Sequence, residues 1–300
     1  MRKNILTFGS CGWDKIVDKT TKELIYEEEG RKNSHQAIAA LRAGANSILV
    51  SFVGDDEIGH RVLASLKECG LDTKYIEIVP GASTEVNIQY YDPVTKDYDL
   101  HRGPAELSQN YDSQMIDRYK EEILNADAVN LVSKQPKEFL VRMIDFCDEE
   151  NIDTYLTISH KKLDIVEDID TLKKVTYIAG NMREGRDLTG YDTACEMLKV
   201  LPNMLITDGG EGVWFCDEQG NIVHEPAVKA REVVETNGAG DTFIGNFMVY
   251  RAEGYSILEC VRRAMCASSL EISKMGVYSA MPYREETDKL YNEYYKGEQR

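Results

Sequence analysis

The stretch Val233-Val234-Glu235-Thr236-Asn237-Gly238-Ala239-Gly240-Asp241-Thr242-Phe243-Ile244-Gly245-Asn246-Phe247 is the most informative in the chain. Its β-branched start reads as the end of an extended run, and an apolar helix is expected to begin near Asp241. Between them, Gly238, Ala239 and Gly240 are small enough for a tight turn that brings several N–H groups together. A helix start adds unpaired donors and a partial positive charge. Such a tip suits a phosphate, and it suits the charge spread over a phosphoryl group in transfer. Asp241 stands at the same tip, where a carboxylate can take the proton of an attacking hydroxyl. Read alone, Gly-x-Gly-Asp is also the turn and cap of an ordinary helix, so the rest of the chain has to decide.

Outward from this point, short apolar strands alternate with helical patterns. Strands are expected at Asn4–Phe8, Ser47–Val53, Ala128–Val132, Asp153–Ile158, Val175–Ala179 and Met204–Thr207. Helices are expected at His35–Ala43, Ile58–Cys69, Lys137–Glu149, Leu163–Lys173 and Asp192–Lys199. Trp214–Cys216 and Ile222–His224 flank a turn and read as a hairpin. From Gly240 to Lys274 the pattern is helical with a break at Gly254, and Glu285–Tyr295 reads as a terminal amphipathic helix. This rhythm implies an α/β protein with a mostly parallel sheet covered by helices on both faces. Two segments, 14–29 and 84–102, are strand-rich without intervening helices (Lys22–Glu28, Glu85–Tyr91, Asp97–Leu100) and read as a small β lid inserted into one domain spanning 1–300.

The chain has 300 residues, 42% hydrophobic and 29% charged, with a formal net charge of −17. That is enough apolar material for a large core, and it argues against disorder. An acidic surface repels phosphate backbones and anionic lipids, so neither nucleic acid nor membrane is an expected partner. No apolar run approaches the ~18 residues of a membrane span. Seven cysteines contain no Cys-x-x-Cys pair, which fits reduced thiols and a cytoplasmic location. The first strand leads into Gly9-Ser10-Cys11-Gly12, without the Gly-x-Gly-x-x-Gly of a dinucleotide fold, and no P-loop signature is present. The five histidines are scattered and form no metal-ligand spacing with the cysteines.

The Glu235–Phe247 stretch resembles the C-terminal signature of the ribokinase-like (PfkB) carbohydrate kinases. Other landmarks follow in that family's order: Gly9-Ser10-x-x-x-Asp14, the segment from Gly30 to Gln36-Ala37, Val53-Gly54-Asp55-Asp56-x-x-Gly59, Asn181-x-x-Glu184, Thr207-x-Gly209-x-x-Gly212-Val213, and Gly276 to Glu286 with Pro282. The resemblance implies a three-layer α/β/α fold with a β lid, and ATP-dependent phosphorylation of a small carbohydrate hydroxyl. It implies Asp241 as base, with the amides of Gly238, Ala239 and Gly240 as an anion hole. Asn181, Thr207, Gly209 and Gly212 would line the nucleotide. Glu184 would support Mg²⁺ through water, a role suited to a hard oxygen ligand. Asp14 would grip substrate hydroxyls, and Glu235 marks a position where relatives bind a monovalent cation such as K⁺. A homodimer through the lid is an expectation of the same kind. Asp55 and Asp56 read instead as the cap of the following helix.

Several substrate positions depart from the family pattern. The usual Gly-Gly-Lys-Gly-x-Asn-Gln-Ala is here Gly30-Arg31-Lys32-Asn33-Ser34-His35-Gln36-Ala37, and the common Asp-x-Asn-x-Arg is Thr157-x-Ser159-x-Lys161. Losing glycines at Arg31 and Asn33 is expected to stiffen the joint between lid and main body. Lys32, His35, Arg102 and Lys134, with Arg31, gather cations where the family grips hydroxyls. That points to a sugar acid or another anionic carbohydrate derivative. Two other readings stand beside it. One is a nucleoside kinase with Tyr90 or Tyr91 stacking a base. The other is a non-catalytic sugar or nucleotide sensor on the same fold.

Overall fold

The computed structural model describes residues 1–92, 94, 98–103, 106–159 and 168–296. The chain opens with β1 (Asn4–Phe8), β2 (Trp13–Asp18), β3 (Leu24–Glu29), α1 (Lys32–Arg42), β4 (Asn46–Gly54), α2 (Glu57–Glu68), β5 (Ile76–Val79), β6 (Val86–Tyr91) and β7 (Tyr98–Arg102). The middle holds α3 (Gln114–Arg118), α4 (Lys120–Leu124), β8 (Ala128–Val132), α5 (Lys137–Glu149), β9 (Asp153–Thr157), α6 (Ile169–Lys174), β10 (Tyr177–Asn181), α7 (Met182–Thr189), α8 (Ala194–Val200) and β11 (Met204–Thr207). Then come β12 (Val213–Cys216), β13 (Ile222–Glu225), α9 (Ala239–Ala252), α10 (Ile257–Glu271) and α11 (Arg284–Tyr291), with a final π turn over Asn292–Lys296.

Nine strands form one sheet in the order β13-β12-β11-β10-β9-β8-β1-β4-β5. It is parallel except for β12, which runs antiparallel to both β11 and β13. Every residue of β8 is buried, as a parallel strand covered on both faces requires. Side chains alternate between the two faces. Leu6, Phe8, Val50 and Phe52 point into the core closed by α3–α8. Ile5, Ala128 and Tyr155 meet α9–α11, and Leu49 and Val53 meet α1 and α2. Helix α9 is apolar almost all round, and Asp241 through Tyr250 are buried between the sheet, α1 and α10. A helix of that composition has to be interior.

Chain order along the sheet reverses between β1 and β8. In open α/β sheets a ligand crevice lies outside the strand carboxyl ends at such a point. The four-stranded second sheet, β3-β2-β6-β7, lies across that end. Its strand β3 is bolted to the main body. The Tyr26 hydroxyl donates to Glu235 at 2.8 Å. Glu28 accepts from the Val277 amide and from the Ser279 hydroxyl.

Most expected elements lie where the sequence places them, and Ala128–Val132, Lys137–Glu149 and Met204–Thr207 agree to the residue. The strand expected at Val175–Ala179 is Tyr177–Asn181, because α7 follows it without a linker and takes Asn181 as its cap. Helix α7 and strand β5, too short to show a period, escaped the sequence reading. The helix expected from Leu163 falls partly outside the described residues and is seen from Ile169. Lys161 lies outside them, as does Asp97. Arg31 is extended (φ 172°) and Asn33 is helical, conformations open to any residue, so losing the glycines there strains nothing. Among the described residues no helix is long and apolar enough to cross a membrane.

Asp56 is the N-cap of α2, as expected, and it also ties in the strand that enters the lid. Its Oδ1 accepts from the Gly59 amide and the Thr84 hydroxyl at 2.7 Å each, and its Oδ2 accepts from the Thr84 amide at 2.8 Å. Burial acts to raise its pKa, but these bonds outweigh it and hold the carboxyl below the usual aspartate range. Asp56→Ala is therefore expected to cost about 1–2 kcal/mol. A carboxyl with a depressed folded pKa stabilises above its unfolded pKa and loses that contribution as pH falls through the folded one. The gap in Tm between wild type and variant should be a few degrees near neutrality and should close toward pH 3. Identical melts at neutral pH would refute the double role.

Candidate functional site

A cavity of about 760 Å³ opens at the carboxyl ends of the parallel strands. Ser10 and Asp14 reach it after β1, Lys134 and Gln135 after β8, Ser159 after β9, Glu184 after β10, and Thr207 and Gly209 from β11 onward. Its floor is the tip of α9. Gly238, the N-cap, is left-handed (φ +94°), and a Cβ there would meet the Val277 Cγ1 at 2.3 Å and the Glu271 Oε1 at 3.0 Å. Only glycine fits the angle and the space. Gly238 and Gly240 line the cavity with Asp241, and Ala239 lies between them as the first residue of α9. The amides of this turn head the helix, where no intrahelical acceptor exists.

Asp241 is 9% exposed and sits in the first turn rather than at the cap. Its Oδ1 accepts from the Gln36 Nε2 at 2.9 Å. The Lys32 Nζ stands 3.9 Å from Oδ1, and the His35 Nδ1 stands 3.9 Å from Oδ2. The His35 Nε2–H donates to the Glu29 carbonyl at 3.2 Å. Burial would lower the pKa of His35, but the charges of Glu29, Asp241, Asp14 and Glu28 outweigh it and hold the imidazole above its ordinary value. Burial pushes Glu29 itself up to about 7.

At the lid end, Asp14 is buried between amide donors, with the Asn87 Nδ2 at 2.9 Å and the Gln89 Nε2 at 3.2 Å. Asn237 closes the far side by donating to the Gln89 Oε1 at 3.4 Å. This clamp joins β2 to β6 across their parallel ladder. Arg31 is paired with Glu85 at 2.6 Å, both nearly buried, so its charge is compensated. Arg102 pairs with Asn87 in the backbone ladder, and its side chain lies outside the described residues. Tyr90 and Tyr91 do not line the cavity. The Tyr90 ring instead meets His101 edge-on at 5.1 Å and the Lys22 ammonium at 4.5 Å.

On the nucleotide side, Asn181 and Glu184 form a capping box on α7. The Asn181 side chain accepts from the Glu184 amide, and Glu184 accepts from the Asn181 amide, each at 2.9 Å. Both still face the cavity. Gly212 does not. It is a turn residue (φ +114°) pressed on β13, where a Cβ would meet the Glu225 carbonyl at 2.1 Å. Among the described residues no three His, Cys, Asp or Glu side chains gather as a metal cluster. A Mg²⁺ ion here would rest on nucleotide phosphates and water beside Glu184, its usual arrangement with phosphate substrates.

Glu235 lies behind the Gly238 turn and accepts from Tyr26 and from the Gly276 amide. Next to it Glu271 is fully buried, and neither of its carboxyl oxygens has a hydrogen-bond partner. Burial, then the charges of Glu235, Asp241 and Glu28, push Glu271 up to about 10. A bare carboxylate is not stable there, so it takes either a proton or a cation. This buried all-oxygen donor set fits a K⁺-type ion.

Gln36, Asn87, Gln89, Asn130 and Glu85 went unassigned in the sequence. Asn130 carried a readable signal as a polar residue inside the otherwise apolar Ala128–Val132.

The model for the pfkB family carbohydrate kinases matches residues 32–284. The ribokinase of Lactococcus lactis subsp. lactis is 32% identical over 290 residues, covering 93% of each chain. Among solved structures, the Arabidopsis thaliana ribokinase complexed with ribose and ATP superposes with a TM-score of 0.84 at 22% identity, over 97% of this chain and 99% of that one. The Burkholderia thailandensis nucleoside kinase in complex with inosine gives 0.79 at 18% identity, over 97% of each. These two likenesses concern the fold. The family match and the bacterial relative show that the chain belongs to the PfkB family of carbohydrate kinases, ribokinase-like phosphotransferases with an alcohol group as acceptor.

Proposed function

We propose that the protein transfers the γ-phosphoryl group of ATP to a hydroxyl of a small carbohydrate bound between the Asp14 clamp and Asp241. The observation that carries this is the joint placement of three features on one cavity: the Gly238–Gly240 turn, the buried Asp241 carboxylate and the polar lid clamp. Asp241 takes the hydroxyl proton, the amides at the α9 tip hold the phosphoryl oxygens, and Asn181, Thr207 and Gly209 line the nucleotide. Mg²⁺, held by the phosphates with water-mediated support from Glu184, would draw charge from the leaving group. Asp241→Asn keeps the shape and removes the base. Turnover should fall by about 1000-fold or more, while ATP-analogue binding followed by thermal shift persists. Turnover close to wild type in that variant would remove Asp241 from the role. ATP and sugar binding without turnover by wild type, across a broad panel, would favour the sensor.

The finer reading is a substrate carrying an anionic group. Lys32 and His35 each stand 3.9 Å from Asp241, the neighbouring carboxylates outweigh burial and hold the His35 pKa above its ordinary value, and Lys134 also lines the cavity. Arg31 drops out of this set because Glu85 compensates it. A sugar acid should exceed its neutral parent sugar by at least about tenfold in kcat/KM. Preference for neutral ribose in a side-by-side panel would sink this reading and leave the kinase assignment standing. The nucleoside alternative loses its base-stacking candidates, since neither Tyr90 nor Tyr91 lines the cavity.

Glu235, with Glu271 beside it, is the proposed seat of a monovalent cation. Replacing tetramethylammonium by K⁺ is expected to raise both turnover and Tm. No change in either would leave Glu271 as a buried neutral acid.

A further inference from the structure

Gln36 lies on α1, one residue past His35, and is fully buried. Its amide bridges three groups far apart in sequence. The Nε2 donates to the Asp241 Oδ1 at 2.9 Å and to the Thr157 Oγ1 at 3.2 Å, and the Oε1 accepts from the Asn130 Nδ2 at 2.8 Å. Asn130 is equally buried, at the centre of β8 between Val129 and Leu131, and its Nδ2 also reaches the Thr7 Oγ1 at 3.5 Å. The direction of this chain is fixed by chemistry. A carboxylate only accepts, so the amide edge facing Asp241 must be the NH₂. The carbonyl edge then faces Asn130, which has to present its own NH₂.

We infer that Gln36 and Asn130 are positioning residues for the phosphoryl transfer, pinning the Asp241 Oδ1 so that Oδ2 is the oxygen that takes the hydroxyl proton. In that step the acceptor O–H bond breaks and its proton goes to Oδ2. The oxygen–phosphorus bond to the γ-phosphoryl group forms. The bond from that phosphorus to the bridging oxygen breaks, leaving its electron pair on ADP. Without the Gln36 contact, the carboxylate can turn toward Lys32 or His35, each 3.9 Å away, and an ion pair would take up the oxygen that the hydroxyl needs. Buried amide chains strengthen one another where water is excluded, and a misaligned catalytic group loses rate steeply.

The inference rests on Asp241 acting as the base, and the experiment separates the two. Steady-state kinetics would be run on Gln36→Leu, Asn130→Ala, the double variant and Asp241→Asn, using ATP and the best carbohydrate from the panel. Gln36→Leu should lower kcat about 10- to 100-fold while both KM values stay within about threefold. Asn130→Ala should lower kcat less. The double variant should match Gln36→Leu within about twofold, because the two residues act through one contact. Loss confined to KM, near wild-type kcat in Gln36→Leu, or losses that multiply in the double variant would overturn the relay. If Asp241→Asn turns over normally, the base assignment itself fails. Should Gln36→Leu not fold, Asn130→Ala alone decides, since a purely structural asparagine would change Tm without dividing kcat from KM.

Discussion

The site depends on holding a carboxylate at the positive end of a helix without letting the two neutralise each other. Helix α9 supplies the field and the free amides. Gly238 turns the chain so that those amides face the cavity, while Asp241, in the first turn, projects its side chain into the same space. A carboxylate so placed is drawn toward every nearby donor. The Gln36 amide answers that pull with one neutral hydrogen bond, while Lys32 and His35 stand at 3.9 Å. Burial of α9 on all sides fixes the tip relative to the strand ends. The apolar face from Phe243 to Tyr250 therefore helps set the geometry of the cavity floor, although none of it beyond Phe243 touches the cavity.

Charge inside the cavity is closely balanced even though the protein is strongly acidic. Arg31 meets Glu85, and Lys32 and His35 face Asp241. Asp14 is held by neutral amides rather than by a cation, which leaves its negative charge available to hydroxyl donors. Such a clamp suits diols, while the other end places Lys32 and His35 beside Asp241. The two ends of the cavity thus ask for different features of one substrate, and this asymmetry is the physical basis for expecting an acidic group near the reacting hydroxyl.

What could be read from the sequence was what lies close together along it. The Gly238–Asp241 turn, the Asn181–Glu184 box and the Asp56 cap each fall within four residues, and each carries its geometry in its spacing. Asp14 was legible as a candidate, but its amide partners were not, because 73 and 75 residues separate them from it. The same holds for Gln36 and Asp241, 205 residues apart. Gln36 belongs to the Gly30–Ala37 segment, yet nothing local says which edge of an amide will face a carboxylate. At Gly212, whose spacing reads as a nucleotide turn, the backbone of β13 also requires a glycine.

The lid adds a last link between these parts. Strand β3 anchors through Tyr26 to Glu235 and through Glu28 to the 277–279 turn. Those same elements back the anion hole, since Val277 packs where a Gly238 side chain would be. Strand β2 then carries Asp14, and β6 carries its amide partners. The register of three lid strands therefore sets the distance between hydroxyl clamp and phosphoryl site. A one-residue slip between β2 and β6 would turn Asn87 and Gln89 to the opposite face and empty the clamp while leaving Asp241 in place. On the proposed reading, substrate grip belongs to the small sheet and phosphoryl chemistry to the tip of α9, and the two are coupled at the root of β3.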